Sequence, residues 1–349
     1  MNKKIAILLK VIVSLGLITL LVNQVDFNKI VNILKNVDIA MIVYALILLK
    51  VIVSLGLITF LINQVDFNKI INILRNVDIT MIIYAMILLT IQVFIATTRW
   101  QFVLKCQKIM LSYKSTLQIL WSGLFFNQAM PSSVGGDVIR GYYLKKQGIT
   151  LGRATLGVLM DRLFGMTGLV LLVVASLPLL FGLISDSVAR SGVLFIALGV
   201  SLALLFIFFT DKLSGNFSHL RVIRGFYSLS QEGRRCIYKG YSGLVIVAIS
   251  ILIHLMSVVA VIFMAIGLGI NIEWSGFLLI IPLVTLIMVV PISIAGWGVR
   301  EGVMVVGFGY LGVVPEVALA LSILYGLLVL VVALPGGVAW ALKRSHIPN

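Results

Sequence analysis

Hydrophobic positions in this chain run unbroken for the length of whole helices, and polar positions gather in short clusters between them. Apolar runs cover 5–22, 39–62, 79–97, 163–183, 192–210, 242–268 and 317–342. Each is close to or within the roughly 17–25 residues that cross a hydrocarbon layer about 30 Å thick. A membrane β-barrel would instead need short segments of alternating hydrophobicity. The pattern predicts an all-α polytopic membrane protein with about seven spanning helices.

Two further apolar runs are broken. The run that starts at 115 is interrupted by Met130-Pro131-Ser132-Ser133-Val134-Gly135-Gly136-Asp137-Val138-Ile139-Arg140-Gly141. The run at 276–290 is interrupted by Pro291-Ile292-Ser293-Ile294-Ala295-Gly296-Trp297-Gly298-Val299-Arg300-Glu301-Gly302. Pro131/Pro291, Ser133/Ser293, Gly136/Gly296 and Arg140/Arg300 all fall 160 residues apart. Neither run is long enough to cross before its break, so 115–143 and 276–313 predict re-entrant helical hairpins. Three predicted spans separate them, an odd number, so the hairpins enter from opposite faces. Inverted repeats of this kind bring broken helices together near the bilayer midplane.

A second duplication lies nearer the N-terminus. Residues 11–50 and 51–90 are tandem copies that differ at eight of forty positions, far fewer than in solenoid arrays. They read as a recent duplication rather than a functional array. Each copy holds the end of one helix, a polar loop and the start of the next, so the surplus copy adds one loop and one span. It also places Lys50 in the middle of a predicted span, where a lysine costs about 2.5–3.5 kcal/mol. Lys50 is accordingly expected to be a by-product of the seam. The surplus span either inverts the N-terminus or leaves one early helix uncrossed.

Composition sharpens this picture. The 349 residues are 61% hydrophobic and 11% charged, where a soluble domain carries about 25% charged residues. The net charge of +15 comes from clusters at 98–114, 140–153, 211–241 and 343–344. These fit the bias of Lys and Arg towards cytoplasmic loops, and with no separate basic domain they imply no nucleic-acid partner. A cell-membrane, multi-pass location with a cytoplasmic C-terminus follows as the expectation. Met1-Asn2-Lys3-Lys4 and the run behind it lack a clear cleavage site and read as an uncleaved first helix. Cys106 and Cys236 fall in expected cytoplasmic segments, so neither a disulfide nor a zinc site is indicated.

The whole of 1–349 is expected to form one integral membrane domain. No loop is long enough for a soluble catalytic domain, the longest being 211–241. There is no phosphate-binding GxxxxGK[ST] motif, no metal-ligand spacing and no Ser-His-Asp-like grouping. The expectation is a protein without enzymatic activity, cofactor or metal.

The broken helices carry the candidate chemistry. Backbone groups freed by a break must be buried in protein or line a cavity. Helix N-termini beside Gly135-Gly136 and Gly296, with the serines Ser133 and Ser293, offer N–H and O–H donors to an anion. Arg140 and Arg300 add guanidinium donors matched to phosphate, and Asp137 and Glu301 can pair with them or hold a cationic group. Asp161-Arg162 starts the next span and can face the same cavity or form an internal pair. Thr98-Arg99-Trp100 reads as an interfacial anchor, His254 as a packing residue and Gly336-Gly337 as a close helix contact.

Arg99-Trp100, Asn127 through Arg140 with its Pro-x-x-x-Gly-Gly-Asp-x-x-Arg pattern, the Asp161-Arg162 pair and Pro291 to Gly302 resemble the lysylphosphatidylglycerol synthase transmembrane region, a flippase-like family. The resemblance runs from about residue 5 to 342 with one repeat unit surplus, and the family commonly has Glu where Asp161 stands. It implies a lipid translocator that moves an anionic or zwitterionic phospholipid headgroup between leaflets. The alternative it leaves open is a membrane component or enzyme acting on polyprenyl-phosphate or glycolipid substrates. An aminoacyl-transfer domain is not part of the sequence.

Overall fold

The structure is a computed structural model that describes residues 39–130, 134–212, 221–238, 242–290 and 293–344. The expected span at 5–22, residues 11–38 of the first repeat copy, Pro131, Ser133 and Pro291 lie outside the described residues. By its internal contacts the chain divides into Met1–Leu49 and Lys50–Asn349. Of the first unit only Ile39–Leu49 is described, as helix. The second unit carries everything that follows.

All described regular structure is helical, as the apolar pattern predicts. In chain order the helices are α1 (Ile39–Gln64), α2 (Phe67–Arg75), α3 (Ile79–Cys106), α4 (Tyr113–Ala129), α5 (Gly135–Lys146), α6 (Leu151–Leu183), α7 (Ser187–Phe209), α8 (Arg221–Tyr238), α9 (Ser242–Gly267), α10 (Trp274–Met288), α11 (Val299–Gly309) and α12 (Pro315–Arg344). Short polar residues start several of them. The carboxylates of Asp66, Asp78 and Asp186 accept backbone N–H groups in the first turns of α2, α3 and α7, satisfying donors that a helix end leaves open.

Among the described residues, Ile79–Cys106, Leu151–Leu183, Ser187–Lys212, Gly243–Gly267 and Pro315–Leu342 are long and apolar enough to cross a membrane. They coincide with five of the seven expected spans. Half of the apolar window of α6 and of α12 is buried within the protein, against 11% for α7. Thus α6 and α12 belong to the centre and α7 to the rim. The exposed Phe195, Leu198, Leu202 and Phe206 of α7 are the lipid-facing surface that such a rim helix needs.

Packing inside the second unit joins α9 to α3 and α6, α10 to α6, and α12 to α4. The α12 contact depends on the paired glycines. A Cβ at Gly336 would overlap the Trp121 carbonyl, and one at Gly337 would press on the Phe125 ring. Trp121 Nε1 donates to Val332 O at 2.7 Å and Ser122 Oγ to Gly336 O at 3.2 Å across the same seam. Gly336-Gly337 is the close helix contact its sequence suggests.

Both broken runs fold as helical hairpins. α4 packs against α5, and α10 against α11, with the breaks at Met130–Val134 and Val289–Gly298. Three long apolar helices, α6, α7 and α9, lie between them. The second break turns through residues with positive φ, at Ala295 (48°), Gly296 (84°) and Gly298 (88°). Glycine is the residue that takes such angles without steric cost. The Ser54 hydroxyl in α1 receives the Ile294 N–H at 3.0 Å, which ties the break to the second repeat copy.

Three expectations need correction. α3 continues to Cys106 rather than ending near 97, and α6 begins at Leu151 rather than near 163. Arg99 and Asp161-Arg162 therefore lie within helices, not at their mouths. The basic segment 211–241 is partly helical, as α8. It is held by Ser230 Oγ donating to Phe208 O at 2.6 Å and by an Arg234–Asp211 ion pair.

Finally, Cys106 and Cys236 form a disulfide with their Cα atoms 5.5 Å apart, where the sequence indicated none. The longer α3 carries Cys106 to the place where α8 presents Cys236. Disulfides are rare in a reducing cytoplasm, so this bond and the basic residues pull the side assignment of these segments in opposite directions.

Candidate functional site

The first break builds a network of five charges. Asp161 of α6 is buried at 2% exposure. Its Oδ1 accepts from Arg99 Nε of α3 at 2.9 Å and its Oδ2 from Arg140 Nη2 of α5 at 2.7 Å. Asp137, one turn before Arg140, lies 3.6 Å from Arg140 Nη1 and also pairs with Arg162 Nε. The Arg140 guanidinium stacks over the Trp100 ring at 4.0 Å. This face-on contact adds cation–π attraction to the ion pairs.

Small residues let α5 come close enough for this. A Cβ on Gly123 would meet Arg140 Cγ at 2.8 Å, and one on Gly136 would overlap the Gly123 carbonyl. The N–H of Gly136 donates to Asn127 Oδ1 at 2.9 Å. That donor at the N-terminus of α5 is therefore used by the protein itself. Gly135 is buried in the same turn.

The second break builds a smaller, closed cluster. Arg300 and Glu301 are buried at 4% and 3% exposure. Arg300 Nη2 donates to Glu301 Oε1 at 2.6 Å and Arg300 Nε to the same oxygen at 3.1 Å. Ser322 of α12 also donates to Oε1, at 3.2 Å, while Glu301 Oε2 receives the Gly298 N–H at 2.6 Å. The Arg300 guanidinium sits 4.6 Å from the Trp297 ring centre and 6.0 Å from that of Tyr325. Ser293 is buried beside this turn. Both carboxylate oxygens and the guanidinium thus have partners within the cluster.

A cavity of about 510 Å³ opens among α3, α4, α6, α9, α10 and α12, within the range of small-molecule sites. Its lining includes polar side chains, among them Arg99, Arg162, His254, Gln92, Asn127 and Gln128. The rest is largely aliphatic, with Leu89, Val93, Leu124, Val329 and Val332. His254 Nε2 lies 3.1 Å from the Gly165 carbonyl, which fixes the proton on that nitrogen and turns the ring. Gln92 Nε2 donates to Ile253 O at 2.8 Å and Ser257 Oγ at 2.7 Å, holding α3 to α9 along the cavity.

Of the residues the sequence singles out, Arg162 lines this cavity directly. Asp137 stands one ion pair behind it, Asp161 one behind Arg99, and Arg140 behind both carboxylates. Arg300, Glu301, Ser293 and Gly296 do not line it, although Tyr325, which faces Arg300, does. Ser133 lies outside the described residues.

Arg99-Trp100 is not the interfacial anchor its sequence suggests. Trp100 is fully buried and Arg99 is a wall of the cavity, because α3 runs on past them. His254 of α9 also lines the cavity. The signal for Arg99 was available: an arginine and an aspartate inside apolar helices each need a partner, and Arg99 with Asp161 is such a pair. Gln92, Asn127 and Gln128 carry no charge to mark them.

Apolar helices long enough to span a bilayer, enclosing a cavity with a cationic wall, define a multi-pass membrane protein with an internal polar site. The model of the lysylphosphatidylglycerol synthase TM region matches residues 47–337, and the chain belongs to that family. The match starts just before the second repeat copy, so 51–90 is the copy inside the family region and nearly all of 11–50 lies outside it. No curated protein matches the chain.

Proposed function

We propose that the protein is a lipid translocator in which the α3–α4–α6–α9–α10–α12 cavity receives a phospholipid headgroup while the acyl chains stay in the bilayer. The observation that carries this reading is the cavity wall itself, where Arg99 and Arg162 stand among long apolar helices. Arginines inside spanning segments are costly and mark pathways for charged groups. Their forked N–H groups suit phosphate oxygens. The aliphatic part of the wall suits the glycerol and upper acyl region.

In this reading the two hairpins are re-entrant and enter from opposite faces, and crossing follows alternating access around the cavity. Asp137, Asp161 and Arg140 position the two cavity arginines. The test is reconstitution of the full chain in liposomes with tail-labelled fluorescent phosphatidylglycerol, followed by quenching from outside. Wild type is expected to move lipid above the protein-free rate. Arg162→Gln is expected to lower that rate by about tenfold, a barrier change of about 1.4 kcal/mol. A rate equal to protein-free liposomes for wild type contradicts the proposal.

A further inference from the structure

Beside the cavity lies a second hollow, a groove of about 360 Å³ between α3, α4 and α12. The same three helices wall both spaces, and Val332 lines both. On α3 the cavity takes Leu89, Gln92, Val93 and Ala96, and the groove takes the neighbouring stripe of Met86, Ile87, Thr90 and Ile91. Each set recurs at three and four residues and so shares one face of the helix. On α12, Val331 and Pro335 belong to the groove, while Val329 and Ala333 belong to the cavity. The groove opens outwards. Ile87, Ile91 and Val331 are exposed on helices long and apolar enough to cross a membrane.

The groove offers hydrocarbon. Its two side-chain donors are spent on the protein, with Thr90 Oγ1 donating to Met86 O at 2.8 Å and Trp121 Nε1 to Val332 O at 2.7 Å. Pro335 has no N–H to give. A polar group buried here without a partner would be costly, whereas a flexible apolar chain gains dispersion contacts with the Trp121 ring and the aliphatic side chains. Position along α3 fits the same occupant. Ile91 and Met86 precede Arg99 by eight and thirteen residues of one continuous helix, or about 12 and 20 Å at about 1.5 Å per residue. One leaflet of hydrocarbon is about 15 Å deep, half of a core about 30 Å thick. A chain hanging from a headgroup at Arg99 therefore reaches the groove. Resting on the headgroup reading above, we infer that the α3–α4–α12 groove holds an acyl chain of the lipid whose headgroup occupies the cavity. The seam at Val332 is the path along which that chain follows its headgroup.

The test separates a bound chain from surrounding lipid. Full-length protein in liposomes is illuminated with phosphatidylglycerol carrying a diazirine in one acyl chain, and labelled residues are read by peptide mass spectrometry. Label is expected on 86–91 and 331–335 several-fold above α7, whose Leu198 and Leu202 are more exposed. Diacylglycerol with the same diazirine chain, which lacks the phosphate, is expected to lose that enrichment. Ile91→Trp narrows the groove from its exposed edge and Thr90→Phe fills it. Each is expected to reduce label in the groove several-fold and to slow transbilayer movement about fivefold. Equal labelling of the groove and α7 overturns the inference, and so does equal enrichment with diacylglycerol. A photo-crosslinker at position 91 that captures residues 1–38 of the chain or a second copy, in place of lipid, overturns it as well. Enriched, phosphate-dependent labelling in a wild type that moves no lipid upholds the groove and removes the translocator reading. Lipid movement with unenriched labelling keeps that reading and removes the groove.

Discussion

The two breaks are near twins in sequence and unlike in structure. Each places an arginine over a tryptophan and against a carboxylate, at Arg140–Trp100–Asp161 and Arg300–Trp297–Glu301. The partners come from different distances. Arg300 takes its carboxylate from the next residue and its ring from the same turn. Arg140 takes its carboxylate from α6 and its ring from α3. A local cluster can close on itself, and the second one does. A cluster assembled from three helices ties them together, and its outer members, Arg99 and Arg162, reach the cavity. In the proposed function, one motif only closes on itself and the other stands behind the binding wall.

The comparison can be broken most strongly at Asp161. Asp161→Asn leaves two buried arginines short of a carboxylate, and a loss of about 3–5 kcal/mol is expected. Thermal unfolding of the detergent-purified protein measures it. Asp161→Glu, the residue common in the family, is expected to restore most of that stability. At the second break Glu301→Gln strands Arg300 and is expected to cost nearly as much, about 3 kcal/mol. Neutralising both partners, Arg300→Met with Glu301→Gln, is expected to recover part of it while transbilayer movement persists. A double variant that is stable and inactive would place the second cluster in the transport site.

Smaller effects sharpen the contrast. Gly136→Ala pushes a methyl group into the Gly123 carbonyl and the Asn127 side chain. A cost of about 1–3 kcal/mol is expected, as for overpacking elsewhere. Loss of the Cys106–Cys236 bond in Cys106→Ser is expected to lower stability by about 2–4 kcal/mol with little change in transbilayer movement, because neither cysteine lines the cavity. Maleimide labelling of intact cells before and after reduction checks whether the bond forms. It also decides between the opposing side assignments that the disulfide and the basic residues imply.

The helical architecture was legible because apolar runs of membrane length have few other folds open to them. Both hairpins were legible because proline and glycine clusters predict a helix break, and the helices do end just before them, at Ala129 and Met288. Helix ends were less so. Arg99 lay beyond the apolar run at 79–97, yet α3 carries it because Asp161, 62 residues later in the chain, gives its charge a partner. The pairing of Cys106 with Cys236 depends on the same extension and on α8, whose polar sequence reads as a loop. The difference between the breaks left one trace. Asp137 precedes Arg140 by three residues, whereas Glu301 follows Arg300 directly, so the acids never shared a register even though the arginines did. The neutral wall residues Gln92, Asn127 and Gln128 left none, since a polar amide on a helix becomes a binding group only when packing turns it inward.

The central claim is that the first break supports the transport site and the second supports the fold. Transbilayer movement of phosphatidylglycerol, measured side by side in liposomes for Arg162→Gln and for the Arg300→Met, Glu301→Gln double variant, tests it most directly. The account predicts a rate about tenfold below wild type for the first and a rate near wild type for the second, with both proteins folded. Unimpaired movement in Arg162→Gln together with its loss in the double variant would contradict it.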